Sequence, residues 1–189
     1  NAVVKPATAT VTTGALGWAT ACLSYDAQVP EGTKAYYISA ATKDAVTLTE
    51  LNAIPAGEGF IFNAVAGNHE FQAAASAPAA ITNLLVGTTE ETTVDANSAY
   101  VLASDGENNV ALKLYTGTSI AAGKAYLPKN SVPSSARSLS MLIDSEGSGI
   151  LPVQMSTQQE GQVFDLQGRR VAQPAKGIYV KSGKKIIIK

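Results

Sequence analysis

Val46-Thr-Leu-Thr49 and Val110-Ala-Leu-Lys-Leu-Tyr115 are the stretches that decide the fold. Val110, Leu112 and Leu114 fall on one face of an extended chain, and period-two alternation marks a half-buried antiparallel strand. The two stretches lie 64 residues apart, and neither stands alone. Ala35-Tyr-Tyr-Ile-Ser39 and Ala99-Tyr-Val-Leu-Ala103 precede them at the same separation. Ile54-Pro-Ala-Gly-Glu-Gly-Phe-Ile61 and Ile120-Ala-Ala-Gly-Lys-Ala-Tyr-Leu127 follow at a separation of 66, the two extra residues falling in a loop. Each copy reads strand, turn, strand, Ala-Gly turn, strand. Thr42-Lys-Asp44 and Ser104-Asp-Gly-Glu-Asn-Asn109 supply turn residues, and Gly57 and Gly123 suit positive φ.

Two copies are too few for a solenoid. The expectation is an all-β fold, an antiparallel β-sandwich or barrel built from two repeated halves whose inner faces cover each other. Val46, Leu48, Phe60, Val110, Leu112 and Tyr126 are expected in its core. Residues 73–80, Ala-rich but interrupted by Pro78, read as a loop. The body is expected to span 1–143. Asp144-Ser-Glu-Gly-Ser-Gly149 reads as a linker, and 150–189 as a small C-terminal β domain.

Charge divides at the same place. Residues 151–189 carry seven Lys and Arg against Glu160 and Asp165, a net +5, which leaves −6 on the rest of a chain whose total is −1. Such a contrast suggests a separately evolved tail. Nucleic acid is not the expected partner, because aromatic and basic residues are not interleaved as stacking platforms along it. No run of 18 apolar residues is present to span a membrane.

The tail carries a spaced motif. Val163-Phe-Asp-Leu-Gln-Gly-Arg-Arg-Val171 reads as a strand, a Gly-centred turn and a return. Lys176-Gly-Ile-Tyr-Val180 is a second strand, Ser182-Gly183 a turn, and Lys184-Lys-Ile-Ile-Ile-Lys189 the last strand. This pattern resembles the C-terminal sorting domain of secreted Bacteroidetes proteins of the type IX secretion class. The resemblance implies export, with an extracellular or outer-membrane-surface location, and a partner in the export machinery or on the cell surface. Its motif positions would be Asp165, Leu166, Gly168, Arg169, Val171, Gly177, Tyr179, Gly183 and Lys185.

The body is similar to a module of Bacteroides and Prevotella surface proteins. The resemblance is carried by Gly17-Trp-Ala-Thr-Ala-Cys22, Val29-Pro-Glu-Gly-Thr-Lys-Ala-Tyr36, Ile54-Pro-Ala-Gly-Glu-Gly59, Asn83-Leu-Leu-Val-Gly-Thr88 and Ala122-Gly-Lys-Ala-Tyr-Leu-Pro128. It implies a non-catalytic accessory module and brings no catalytic residues with it.

Chemistry is sparse. Cys22 and His69 are the only cysteine and histidine, so neither an internal disulfide nor a multi-His metal site can form. No nucleophile motif surrounds either residue, and they read as a packed cysteine and a loop histidine within Gly67-Asn-His-Glu70. Asp105, Glu107 and Asn109 alternate like calcium-loop ligands. Val110 and Thr116, however, stand where that loop needs glycine and glutamate, so a plain turn is expected. No enzymatic activity, cofactor or metal is expected. Trp18 is the one candidate sugar contact, because glycan recognition needs a flat aromatic beside polar groups. A buried anchor is its competing role, and Tyr36, Tyr100 and Tyr126 are assigned to core packing. The alternatives to an accessory module are therefore a carbohydrate-binding module and an adhesin or fimbria-like subunit with an open strand edge.

Overall fold

The computed structural model describes residues 8–106, 109–133 and 136–144, together with the backbone pairing of 163–164, 170–171, 177–181 and 184–188. It divides into two units, Asn1–Glu146 and Gly147–Lys189. The first opens with β1 (Thr8–Thr13), β2 (Trp18–Cys22), β3 (Ala27–Gln28), β4 (Lys34–Ala41), β5 (Ala45–Leu51), β6 (Ala53–Ile54), β7 (Gly59–Asn63) and β8 (Gly67–Gln72). It continues with β9 (Val86–Thr88), β10 (Thr92–Thr93), β11 (Ala99–Ser104), β12 (Val110–Leu114), β13 (Ser119–Ile120), β14 (Lys124–Pro128), a 3₁₀ turn (Lys129–Ser131) and β15 (Ser138–Asp144). Among the described residues there is no α-helix.

Nine strands form one mixed sheet in the order β2-β7-β4-β5-β15-β12-β11-β14-β9, nearly closed into a barrel. Where its ends approach, Cys22 N–H donates to Gly123 O at 3.2 Å, and Glu58 and Val86 form an isolated bridge. The pairs β3–β6, β10–β13 and β1–β8 are small two-stranded sheets.

The pairing of the first half recurs in the second. Tyr36↔Glu50 and Ile38↔Leu48 reappear as Tyr100↔Leu114 and Leu102↔Leu112. Tyr36↔Ile61 reappears as Tyr100↔Leu127, Ala21↔Phe60 as Val86↔Tyr126, and Ala27↔Ile54 as Thr92↔Ile120. Turns repeat as well. Gly57 N–H donates to Leu23 O at 2.7 Å and Gly123 N–H to Thr88 O at 2.6 Å. Thr33 N–H and Oγ1 close a turn on Pro30 O, just as Ser98 N–H and Oγ close one on Asp95 O. The left-handed position in those turns is Gly32 (φ 73°) in one half and Asn97 (φ 63°) in the other. Asparagine is among the few side chains that tolerate this region.

β15 breaks the antiparallel expectation. It lies between β5 and β12, paired antiparallel to β12 through Ser138 and Leu139 and parallel to β5 from Ser140 to Asp144. Following the alternation around the sheet, β5 and β12 run in opposite directions. A single strand inserted between them must therefore be parallel to one. It extends to Asp144, the first residue of the expected linker, and 145–149 lie outside the described residues.

Two cores result. Inside the sheet, Tyr36, Ile38, Val46, Leu48 and Ile61 meet Tyr100, Leu112, Leu127 and Leu139. On the outer face of the first half, Phe60 and Phe62 pack under Phe71 of β8, with ring centroids 5.5 and 4.9 Å apart. Burial of Val46, Leu48, Phe60 and Leu112 agrees with the alternation, but Val110 and Tyr126 are only half-buried. Val110 sits at the β12 terminus opposite Ser104. In β14, Ala125 and Leu127 take the interior, which turns Tyr126 to the outer face. His69 is a second correction. It lies in β8 opposite Val11 rather than in a loop, because β8 is held by a six-residue ladder to β1 despite its weak strand formers.

In the second unit, β16 (Val163–Phe164), β17 (Arg170–Val171), β18 (Gly177–Lys181) and β19 (Lys184–Ile188) form an antiparallel sheet ordered β17-β16-β18-β19. Val163 pairs with Val171 and Lys181 with Lys184, and the two turns expected from the sequence lie outside the described residues.

The core assignment is open to direct test. Leu112→Ala, at a site with no exposure, should cost about 2–5 kcal/mol in urea unfolding, whereas Val110→Ala, at the half-buried end of the same face, should cost clearly less. Equal costs would contradict the difference in burial between the terminus and the middle of β12.

Candidate functional site

Trp18 occupies the first position of β2, beside the closure of the sheet. Its ring stacks on Tyr36 with centroids 6.1 Å apart and planes inclined by 29°, so part of it anchors the interior core. The remainder lines a groove of about 370 Å³ together with Thr20, Tyr115, Ser119, Lys124 and Ala125. Tyr115 is held by its hydroxyl, which donates to Ser119 O at 2.8 Å. The Ser119 hydroxyl in turn donates to the Glu91 carboxylate. The groove wall therefore combines a half-buried indole, a fixed tyrosine and a serine engaged with Glu91 with an exposed ammonium. Trp18 thus serves as a partial anchor of the interior and as part of a groove wall.

The other chemical candidates are engaged structurally. Cys22 is buried, and its thiol donates to Gly57 O at 3.4 Å. Burial raises its pKa from the ordinary 9.0, and the Glu58 charge adds to the rise. His69 Nε2 lies 3.2 Å from Thr13 Oγ1 and 2.9 Å from Val65 O, and its ring packs against Phe62 at 5.2 Å. The hydrogen-bond partners of Cys22 and His69 have no residue in common. The Asp105 carboxylate pairs with Lys113 at 2.9 Å, its N–H donates to Asn109 O at 2.9 Å, and Glu107 lies outside the described residues. Among the described residues no group of three His, Cys, Asp or Glu side chains is placed to hold a metal ion, and no helix is long and apolar enough to cross a membrane.

Of the sorting-motif positions, Val171 falls in β17, Gly177 and Tyr179 in β18, and Lys185 in β19. Asp165, Leu166, Gly168, Arg169 and Gly183 lie outside the described residues.

Asn83 is a residue that the composition of its segment does not single out. Its Oδ1 accepts from Ile38 N–H (3.3 Å) and Leu85 N–H (3.0 Å). Its Nδ2 donates to Gly59 O (2.8 Å) and Glu58 Oε2 (3.0 Å). It thereby satisfies backbone groups beside the irregularity in β4, where the register shifts between Ile38 and Ala40. No local pattern announces such a role, because its partners are far apart in sequence.

Comparison with known proteins adds no relative: no family model, curated protein or solved structure matches this chain.

The Cys22 environment gives a pH dependence. Because the folded thiol holds its proton more tightly than the unfolded one, its contribution is complete below the ordinary thiol pKa and is lost as pH rises above it. Tyr36 and Tyr100 act in the same sense, their pKa values raised by burial. The urea midpoint should hold steady up to roughly pH 8.5 and fall above it, with a shallower fall in Cys22→Ala. In the native state at neutral pH, a thiol reagent should label Cys22 only after denaturant is added.

Proposed function

We propose that this chain is a non-catalytic accessory module of a secreted or cell-surface protein, its body a duplicated unit and its C-terminal tail acting in export or surface attachment. The observation that carries the reading is the tail motif. Val163 pairs with Val171 and Lys181 with Lys184, strand pairings compatible with the order of strands that the sorting-domain resemblance implies. The basic tail on an acidic body supports a separate role for the last residues. Recurrence of the pairings β4–β5, β4–β7, β2–β7 and β3–β6 as β11–β12, β11–β14, β9–β14 and β10–β13, at offsets of 64 to 66 residues, supports duplication of the body.

The carbohydrate-binding reading draws on Trp18 and Tyr115 lining one groove with polar neighbours. The assembly reading draws less support. The end strands of the main sheet are β9, three residues long, and β2, beside which Cys22 N–H already pairs with Gly123 O.

Surface labelling of the exporting host tests the proposal. Deletion of residues 161–189 should leave the body folded, as judged by circular dichroism, and remove it from the cell surface. Equal display of full-length and truncated protein would reduce the tail to a β appendage. Turnover of an ester, peptide or glycoside that survives repurification would overturn the non-catalytic part.

A further inference from the structure

The two halves share their strand pairing but differ on their outer faces. In the first half this face carries Val29, Phe60, Phe62 and Ala64, packed beneath Phe71 of the β1–β8 ribbon. Their counterparts in the second half are Val94, Tyr126, Pro128 and Asn130. The same repeat offset turns Pro30 into Asp95, Gly32 into Asn97 and Asn63 into Lys129. The buried Ala21 (2% exposed) corresponds to Val86 (39% exposed), so the outer face is markedly more open here.

This face forms a groove of about 650 Å³ whose lining includes Tyr126, Pro128, Asp95, Asn97, Lys129 and Asn130. Tyr126 is half-buried and Asp95, Asn97 and Asn130 are exposed. Among the described residues, the side-chain polar groups of Tyr126, Asp95, Asn97, Lys129 and Asn130 form no hydrogen bond or ion pair. A merely solvated face would need polarity alone. This one also keeps an aromatic ring and a proline beside a carboxylate, two amides and an ammonium.

We propose that this groove is a carbohydrate-binding site for a neutral oligosaccharide, with Tyr126 as the stacking platform and Asp95, Asn97 and Asn130 reading sugar hydroxyls. This inference rests on the carbohydrate-binding reading and moves its site from Trp18 to the second half. A carboxylate accepts from hydroxyls, while amides both donate and accept, as a polyol demands. An extended peptide is the poorer fit, because β14, which carries Tyr126, pairs with β9 on one side and β11 on the other and offers no free strand edge. Asn97 accepts a left-handed backbone that Gly32 adopts without strain, and it brings an amide to the groove rim.

Affinity electrophoresis of the full chain through gels containing starch, xylan, mannan, cellulose-derived β-glucan or pectin tests the site. At least one neutral polysaccharide should retard the protein. Tyr126→Ala should weaken that retardation by about five- to tenfold, the worth of one aromatic contact. Asn97→Gly should weaken it severalfold while leaving the urea midpoint unchanged or raised, since the first half closes the same turn with glycine. If Tyr126→Ala unfolds, Asn97→Gly decides. Retardation abolished by Trp18→Ala but untouched by Asn97→Gly and Tyr126→Ala would overturn this site and keep the carbohydrate reading. No retardation by any of the polysaccharides would overturn both.

Discussion

The interior shared by the two halves, where Tyr36, Ile38, Leu48 and Ile61 of one meet Tyr100, Leu112 and Leu127 of the other, is the contact on which the remaining architecture depends. Each half on its own is a few short strands with an apolar face turned to water. A fully buried leucine or isoleucine contributes about 1.5–3 kcal/mol, so leaving one such face uncovered would forgo several residues' worth of stabilisation. The halves therefore meet face to face, and their matched registers bring equivalent side chains to the common interior. Closure of the sheet near Cys22 and Gly123, and the four hydrogen bonds of Asn83, follow from holding that interior shut.

A symmetric pair cannot accommodate an odd strand without a compromise, and β15 is that compromise. It fills the space between β5 and β12, contributes the fully buried Leu139, and accepts one parallel neighbour. The ribbon of β1 and β8 breaks the symmetry again by covering one outer face and not the other. Equivalent positions thus experience unlike surroundings. Phe60 is fully buried while Tyr126 is open to solvent on one side.

These asymmetries explain which parts of the structure were legible in the sequence. The hairpins β4–β5 and β11–β12 could be read because alternation and turn residues are local signals, and the repeat offsets carried the register from one copy to the other. Leu139 to Ile143 reads as a strand, but nothing within it names β5 or β12 as its neighbours. Tyr126 reads as core because Phe60 is its repeat partner, and only the distant β8 determines that one is covered and the other is not. His69 was hidden for a related reason, since Gly-Asn-His-Glu has weak strand preference and becomes a strand through its ladder to β1. For Trp18 the sequence left an anchor and a sugar contact open; the structure shows its stacking on Tyr36 and its place in a groove wall.

β15 is also the segment through which any pull from beyond Asp144 enters the body. Force along that strand acts parallel to its ladders with β5 and β12, so the hydrogen bonds from Ser138 to Asp144 are loaded together in shear rather than opened one at a time. Leu139, anchored without exposure in the interior, is drawn against the whole core before it can move. The strand that spoils the symmetry of the fold is thus the one best placed to resist a pull along its own length.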